Sequence, residues 1–208
     1  MIIEQIPVGR MAVFCYLIAE REGGDAILID PASDFDKISE YITRYKLKLK
    51  KIVNTHGHFD HTSGNSYFCK MTGAGLMIHE YDYGFLKTKI NRFASFIKGG
   101  RCRNTDVTLL RDNDTFTLGG LILKVIHTPG HTRGSICILC EDNLFTGDTL
   151  FTEGRGRTDF PGSSEPDMIE SIKSRILTLP DDTKIWPGHH YGRFPVSTVG
   201  EQKKYYFG

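Results

Sequence analysis

The segment Thr55-His56-Gly57-His58-Phe59-Asp60-His61 constrains this chain more than any other, because it places three imidazoles and a carboxylate within six residues, His56 to His61. Packing requires no such density. Neutral imidazole nitrogens and carboxylate oxygens are borderline ligands that suit zinc, iron and manganese. In an extended stretch His56 and His58 point the same way and can share one ion, whereas Asp60 and His61 can reach a second. Gly57 leaves room for that approach. Any fold adopted by the chain must present this loop where further donors can join it.

Three later segments offer such donors: Thr128-Pro129-Gly130-His131-Thr132, Thr146-Gly147-Asp148-Thr149 and Pro187-Gly188-His189. A glycine beside each donor lets the backbone turn sharply, and proline fixes the entry in two of the three. A closed structural zinc site commonly includes cysteine, whereas a catalytic site keeps a position open for water. No cysteine pair lies near these donors.

The donors also follow a scaffold. Ile2 to Ile6, Met11 to Ala19, Ala26 to Asp30 and Lys51 to Asn54 read as strands, with a helix carrying Ile38, Tyr41, Ile42 and Tyr45 capped by Asp34 or Asp36. Ser66 to Met71 reads as a helix stopped by Gly73, Leu76 to Ile78 as a strand, and Tyr81 to Leu86 as a short helix. Val107 to Leu110, Thr115 to Leu118, Leu121 to Ile126, Ser135 to Cys140 and Leu144 to Thr146 read as further strands. Ser164 with Pro166 opens a helix through Leu177, and Lys184 to Trp186 is a last strand. Runs of strands with interspersed helices imply two mixed sheets face to face with helices outside, a four-layer αβ/βα sandwich. Each donor loop then leaves a strand end, so the loops can converge on one edge.

With 208 residues, about two-fifths of them apolar, the chain is expected to form one domain over 1–208. Lys and Arg number 26 against 25 Asp and Glu, so no global field draws it to nucleic acid or an anionic membrane. The run Met11 to Ala19 is too short to span a bilayer and no basic stretch precedes it, which gives a cytoplasmic expectation. Five cysteines, an odd count, fit reduced thiols. Cys137 and Cys140 have C-x-x-C spacing but fall in a strand, where residues three apart face opposite sides, so they read as ordinary buried thiols.

The loop at His56 to His61, Pro-Gly-His131-Thr, Thr-Gly-Asp148-Thr-Leu-Phe and Gly-His189-His-Tyr191, in that order, resemble the metallo-β-lactamase superfamily, and within it the glyoxalase II group (hydroxyacylglutathione hydrolases) and its short bacterial relatives. The resemblance implies that His56, His58 and His131 hold one divalent metal ion, Asp60, His61 and His189 a second, and that Asp148 bridges. Zinc is the expected metal, with iron or manganese as alternatives. Asp60 and Asp148 are the implied catalytic carboxylates. Such a pair of cations activates water without a Ser or Cys nucleophile. The common penicillin-degrading members carry Cys where Asp148 stands, so the resemblance favours the thioesterase or dioxygenase branches.

Two positions are similar to the glutathione-handling pattern. Arg157, in Gly154-Arg155-Gly156-Arg157, is implied to hold a substrate carboxylate, with an internal pair to Asp159 as the alternative. Tyr191 is implied to touch the same substrate. Glyoxalase II continues with a helical domain, whereas 19 residues follow His189 here, so the thiol part stays open between glutathione, another small thiol and a different ester. The loop Gly156 to Phe160 also resembles a mononuclear iron persulfide dioxygenase branch, in which His56, His131 and Asp148 would hold iron. The expected partner is a small, anionic molecule. Tyr83 to Thr105, with Lys87, Lys89, Arg92, Lys98, Arg101 and Arg103 among Phe85, Phe93 and Phe96, reads either as a lid for such a substrate or as a solvated helical face. Of the other histidines, His79 is expected at the surface, His127 near the site, and His190 outside the metal shell. Aromatic residues at Tyr205 to Phe207 are expected to be exposed.

Overall fold

The computed structural model describes residues 1–87 and 106–207, and the basic residues from Lys89 to Arg103 lie outside that range. The first sheet has the order β1-β2-β3-β4-β5-β6: Ile2–Val8, Val13–Ala19, Asp25–Ile29, Lys48–Asn54, Gly75–His79 and Val107–Leu110. β1, β2 and β3 pair antiparallel, and β3 through β6 pair parallel, so the sheet is mixed. The second sheet comprises β7 Thr115–Leu118, β8 Leu121–His127, β9 Ile136–Cys140, β10 Asn143–Gly147, β11 Lys184–Pro187 and β12 Ser197–Thr198, in reverse order across the sheet. β10 and β11 alone are parallel in it.

Strand alternation sorts the side chains into three apolar layers. Phe14, Tyr16, Ile18, Ile27, Ile29, Val53 and Met77 of the first sheet meet Leu123, Val125, Ile136, Ile138 and Phe145 of the second. Leu17, Leu28 and Ile52 point the other way, onto α1 (Phe35–Arg44) and α3 (Asn65–Thr72) through Ile38 and Phe68. On the far side Ile126, Leu144 and Ile185 pack on Met168, Ile172 and Val199 of α4 (Glu165–Glu170), its continuation and α5 (Val199–Phe207). This is the four-layer sandwich. β2 is buried along its whole length, as expected of a strand covered on both faces. Cys137 belongs to the outer layer and Cys140 to the inner, so their side chains do face opposite ways.

Several expectations fail locally. Tyr81 to Leu86 is not a helix; only a 3-10 turn at Phe85–Lys87 forms, because Asp82 is turned inward instead of out to solvent. Asp34 stands at the N-terminus of α1 in a left-handed conformation and caps nothing: its carboxylate accepts from Gly9 N at 2.8 Å. The helix from Ser164 changes after Glu170 into a π-helix, Ser171–Ile176, whose first residue donates to Pro129 O at 2.7 Å. A short α2, Phe59–Thr62, closes the histidine loop. His79 is buried, 3% exposed, and stacks on His127 at 4.2 Å; the expected surface position is wrong because β5 is covered to its last residue. Tyr206 packs on the outer layer, so the C-terminal aromatics do not form one exposed group, although Tyr205 is exposed. Among the described residues, no helix is long and apolar enough to cross a membrane.

Candidate metal centre

Four strand ends deliver the donors. The loop after β4 carries His56, His58, Asp60 and His61; β8 leads to His131, β10 to Asp148 and β11 to His189. Hydrogen bonds tie these loops together: Ile136 N to Thr55 O, Gly188 N to Gly147 O and Phe14 N to Gly188 O, each 2.8 Å. Glycine is required where they cross. A Cβ on Gly57 would stand 2.6 Å from Phe85 Cβ, and one on Gly188 2.5 Å from Asp148 Oδ1.

The seven donors supply two groups whose ligand atoms lie within 4.8 Å of one another, His56, His58 and His131, then Asp60, His61 and His189, and a third such group joins Asp30 to His56 and His61. His58 Nδ1 is 2.9 Å from His131 Nε2, and His61 Nε2 is 3.1 Å from His189 Nε2. Asp148 stands between the groups, 3.4 Å from His61 and His189 on one side and 3.4 Å from His131 on the other. Asp60 is 3.8 and 3.7 Å from His61 and His189. His56 Nε2 and Asp148 Oδ1 are buried without a hydrogen-bond partner among the described residues. Buried polar atoms are almost always satisfied, so two of them aimed into one space lined by nitrogen and oxygen donors fit a cation.

The opposite ring nitrogens are also held. His61 Nδ1 meets Asp30 Oδ2 at 2.9 Å, His131 Nδ1 meets Arg157 O at 2.8 Å and His189 Nδ1 meets Met11 O at 2.8 Å. Thr55 Oγ1 donates to Asp30 and lies 3.1 Å from His56 Nδ1, which leaves His56 Nε2 as an open lone pair. Anchoring the far nitrogen fixes tautomer and ring orientation. A third buried carboxylate, Asp82, accepts from Gly57 N at 2.7 Å, Thr132 Oγ1 at 2.7 Å and Gly134 N at 2.8 Å. It thereby joins the turn between His56 and His58 to the turn after His131.

Charge within the cluster is uneven. Burial pushes His56 well below the ordinary imidazole value, and burial with neighbouring His131 lowers His58 to about 4. Burial also opposes charge on His61, but Asp148 and Asp30 overcome it and raise the group to about 10. Asp148 would be raised by burial, yet His61 and His189 hold it well below the usual carboxylate range. The carboxylates of Asp148, Asp30 and Asp60 therefore favour positive charge at this end of the cluster, which is the charge a divalent ion would supply.

A cavity of about 510 Å³ opens over the cluster, walled by Phe59, Phe85, Phe151, Phe160 and Tyr191, with Arg155 and Arg157 on its border. Tyr191 lies parallel to His189 at 4.4 Å and is 58% exposed. The Arg157 side chain is committed elsewhere: it makes two hydrogen bonds to Asp159, at 2.9 and 2.6 Å, and covers the Phe160 ring. Its carbonyl, not its guanidinium, touches the donor cluster. Asp30, Asp82 and the Met11 and Arg157 carbonyls were not legible as parts of the site. The usable signal for Asp30 was an acid ending the apolar strand beside the histidine strand, given that a ligating imidazole needs an acceptor behind it.

Comparison with known proteins gives a consistent picture. The model of the metallo-beta-lactamase superfamily matches residues 8–189. A protein of Bacillus velezensis named as a probable polyketide biosynthesis zinc-dependent hydrolase, BaeB, is 38% identical over 88% of this chain and 75% of its own length. Among solved structures, BLEG-1 B3 metallo-beta-lactamase superposes with a TM-score of 0.84 at 27% identity, covering 98% of this chain and 97% of that one. ETHE1 from Myxococcus xanthus superposes with a TM-score of 0.81 at 30% identity, covering 99% of this chain and 83% of that one.

Proposed function

Because this chain belongs to the metallo-beta-lactamase superfamily, we propose that it is a metal-dependent hydrolase acting on a thioester, or a related ester, at a pair of divalent cations. The observation that carries this reading is the double donor set with one carboxylate between its halves: His56, His58 and His131; Asp60, His61 and His189; Asp148 between. Similarity to a protein named as a zinc-dependent hydrolase supports zinc as the metal. Two such cations polarise a carbonyl and acidify a water, with no protein nucleophile required.

The chain's own groups have separate tasks. Asp60 and Asp148 face the cavity and are the carboxylates available to accept the proton of the attacking water. Asp30, Met11 O and Arg157 O keep three imidazoles in register. The aromatic walls offer apolar contact to the thiol or alcohol part, and Tyr191 offers a phenol at the rim. With its guanidinium paired to Asp159, Arg157 would have to exchange partners to hold a substrate carboxylate.

Metal analysis and a thioester panel that includes S-lactoylglutathione test this on one preparation. About two ions per chain are expected, and His58→Ala and Asp148→Ala should each reduce turnover by about two orders of magnitude or more. Undiminished turnover by His58→Ala removes the reading. A second reading, a mononuclear iron persulfide dioxygenase using His56, His131 and Asp148, is supported by the likeness to ETHE1. Oxygen uptake by the iron-loaded protein with a thiol persulfide would establish it, and no uptake discards it.

A further inference from the structure

The cavity over the donor cluster has a neighbour. A groove of about 630 Å³ lies beyond Met11 and Phe59, between the β1–β2 turn and the loop joining β3 to α1. Met11, Phe59 and Asp60 line both spaces, so the two meet at a carboxylate of the donor cluster. Met11 and Phe59 are 46% and 45% exposed, an apolar ridge standing between the two spaces.

The groove is built into the scaffold. Its outer wall is a tight turn with Gly9 and Ala12 in the left-handed region, at φ 68° and 52°. That turn is tied directly to the site, since Met11 O holds His189 Nδ1 and Ala12 O accepts from His190 N at 3.0 Å. Val8, Val13 and Ala32 lie buried beneath its floor, and the apolar surface it presents comes mainly from Met11 and Phe59. Two carboxylates also line it: Asp60 faces the donor cluster, and Asp34, which accepts from Gly9 N and Ser33 Oγ, sets its negative charge on the β3–α1 wall. Arg10 is exposed and forms no ion pair among the described residues. An apolar ridge on one side and an unpaired guanidinium at the far border, across the groove from the Asp34 wall, complement a chain that is aliphatic along its length and anionic at its end.

We propose that this groove is a subsite for the acyl part of the substrate, and that the substrates it selects are esters of aliphatic acids whose far end carries an anionic group held by Arg10. This rests on the hydrolase reading, in which the scissile carbonyl lies beside Asp60. The chain then crosses the Met11–Phe59 ridge away from the Tyr191 side, which is left for the thiol or alcohol part.

The probes are α,ω-dicarboxylic acids from succinate to sebacate, each compared with the monocarboxylic acid of equal length, titrated calorimetrically into the metal-loaded protein. Beyond a threshold length the dicarboxylate should bind about tenfold or more tightly than its partner, the value of one charge-assisted contact. Arg10→Glu, a change on an exposed turn, should abolish that preference. Ser33→Trp, which fills the groove away from the donors, should weaken the long acids of both kinds relative to succinate. Equal binding of both series at every length, or a preference that survives both substitutions, overturns the proposal. Binding is read without turnover, so the two readings fail separately. A protein that shows the preference yet cleaves no ester loses the hydrolase reading, and one that cleaves thioesters without the preference loses the subsite.

Discussion

Asp82 illustrates how much of a metal centre lies behind its donors. It is fully buried, and burial raises its pKa even though three neutral donors stabilise the anion. Its three hydrogen bonds reach the backbone between His56 and His58 and the turn beyond His131, so it positions every histidine of the first donor group without touching an ion. Asp82→Asn keeps the size and removes the charge; metal affinity at that group should fall roughly 10–100-fold, with the Asp60, His61 and His189 group changed less. Competition with a chelator of known affinity checks this, and equal loss at both groups would mean that Asp82 acts only through global stability. The seven donors were readable because they fall in four short loops after strand-like runs, with His56, His58, His131, Asp148 and His189 each beside a glycine. Asp82 was not, since Glu80-Tyr81-Asp82-Tyr83, with two acids in four residues, has the composition of a solvated turn and only tertiary packing turns Asp82 inward. His79 was misjudged for the same reason. Burial and the stacked His127 lower it to about 4, so the folded protein prefers it neutral. As pH falls below the unfolded value of about 6.5 the unfolded chain gains a proton that the folded one refuses, and stability should fall by on the order of 1–3 kcal/mol by about pH 4. Denaturant midpoints for wild type and His79→Gln across that window should converge as the pH is lowered; parallel curves would assign the acid sensitivity to other groups.

Elements were legible where one period dominated. The β-branched runs gave the strands to within a residue or two at most ends, because each is buried on at least one face and the alternation shows directly in composition. Boundaries failed where the tertiary structure supplied what the local sequence did not: β12 is only two residues long, and the helix from Ser164 widens where Ser171 bonds to Pro129. That contact makes α4 part of the site's scaffold. Gly130, at φ 145°, lies directly against α4, and a Cβ there would be 2.4 Å from Met168 Cα. Gly130→Ala must therefore push the His131 loop off the helix, at a cost of about 1–3 kcal/mol from overpacking, with backbone strain added. A lower melting temperature together with weaker metal binding is the expected result. A drop in melting temperature with metal affinity intact would show that the loop moves without carrying His131 away.

At the scale of the whole molecule the donor cluster is a joint between the sheets. His56, His58, Asp60 and His61 leave the first sheet after β4, while His131, Asp148 and His189 leave the second after β8, β10 and β11. Across this joint His58 Nδ1 faces His131 Nε2 at 2.9 Å and His61 Nε2 faces His189 Nε2 at 3.1 Å, and lone pairs so close repel unless positive charge stands between them. A cation held by these groups would turn the same approach into attraction and would bind only when both sheets are in place, so its binding free energy would add to folding. An ion present at a thousand times its dissociation constant contributes about 4 kcal/mol, which for a chain of this size corresponds to roughly 10 °C in melting temperature. Exhaustive chelation should lower the midpoint by that order, and added zinc should restore it. The Asp148→Ala protein should gain less from zinc than the wild type, because the carboxylate between the groups is gone while His56, His58 and His131 remain. If chelated and zinc-supplemented wild type melt together, the seven side chains do not clamp the sheets through a metal, and their closeness must be explained by protons alone.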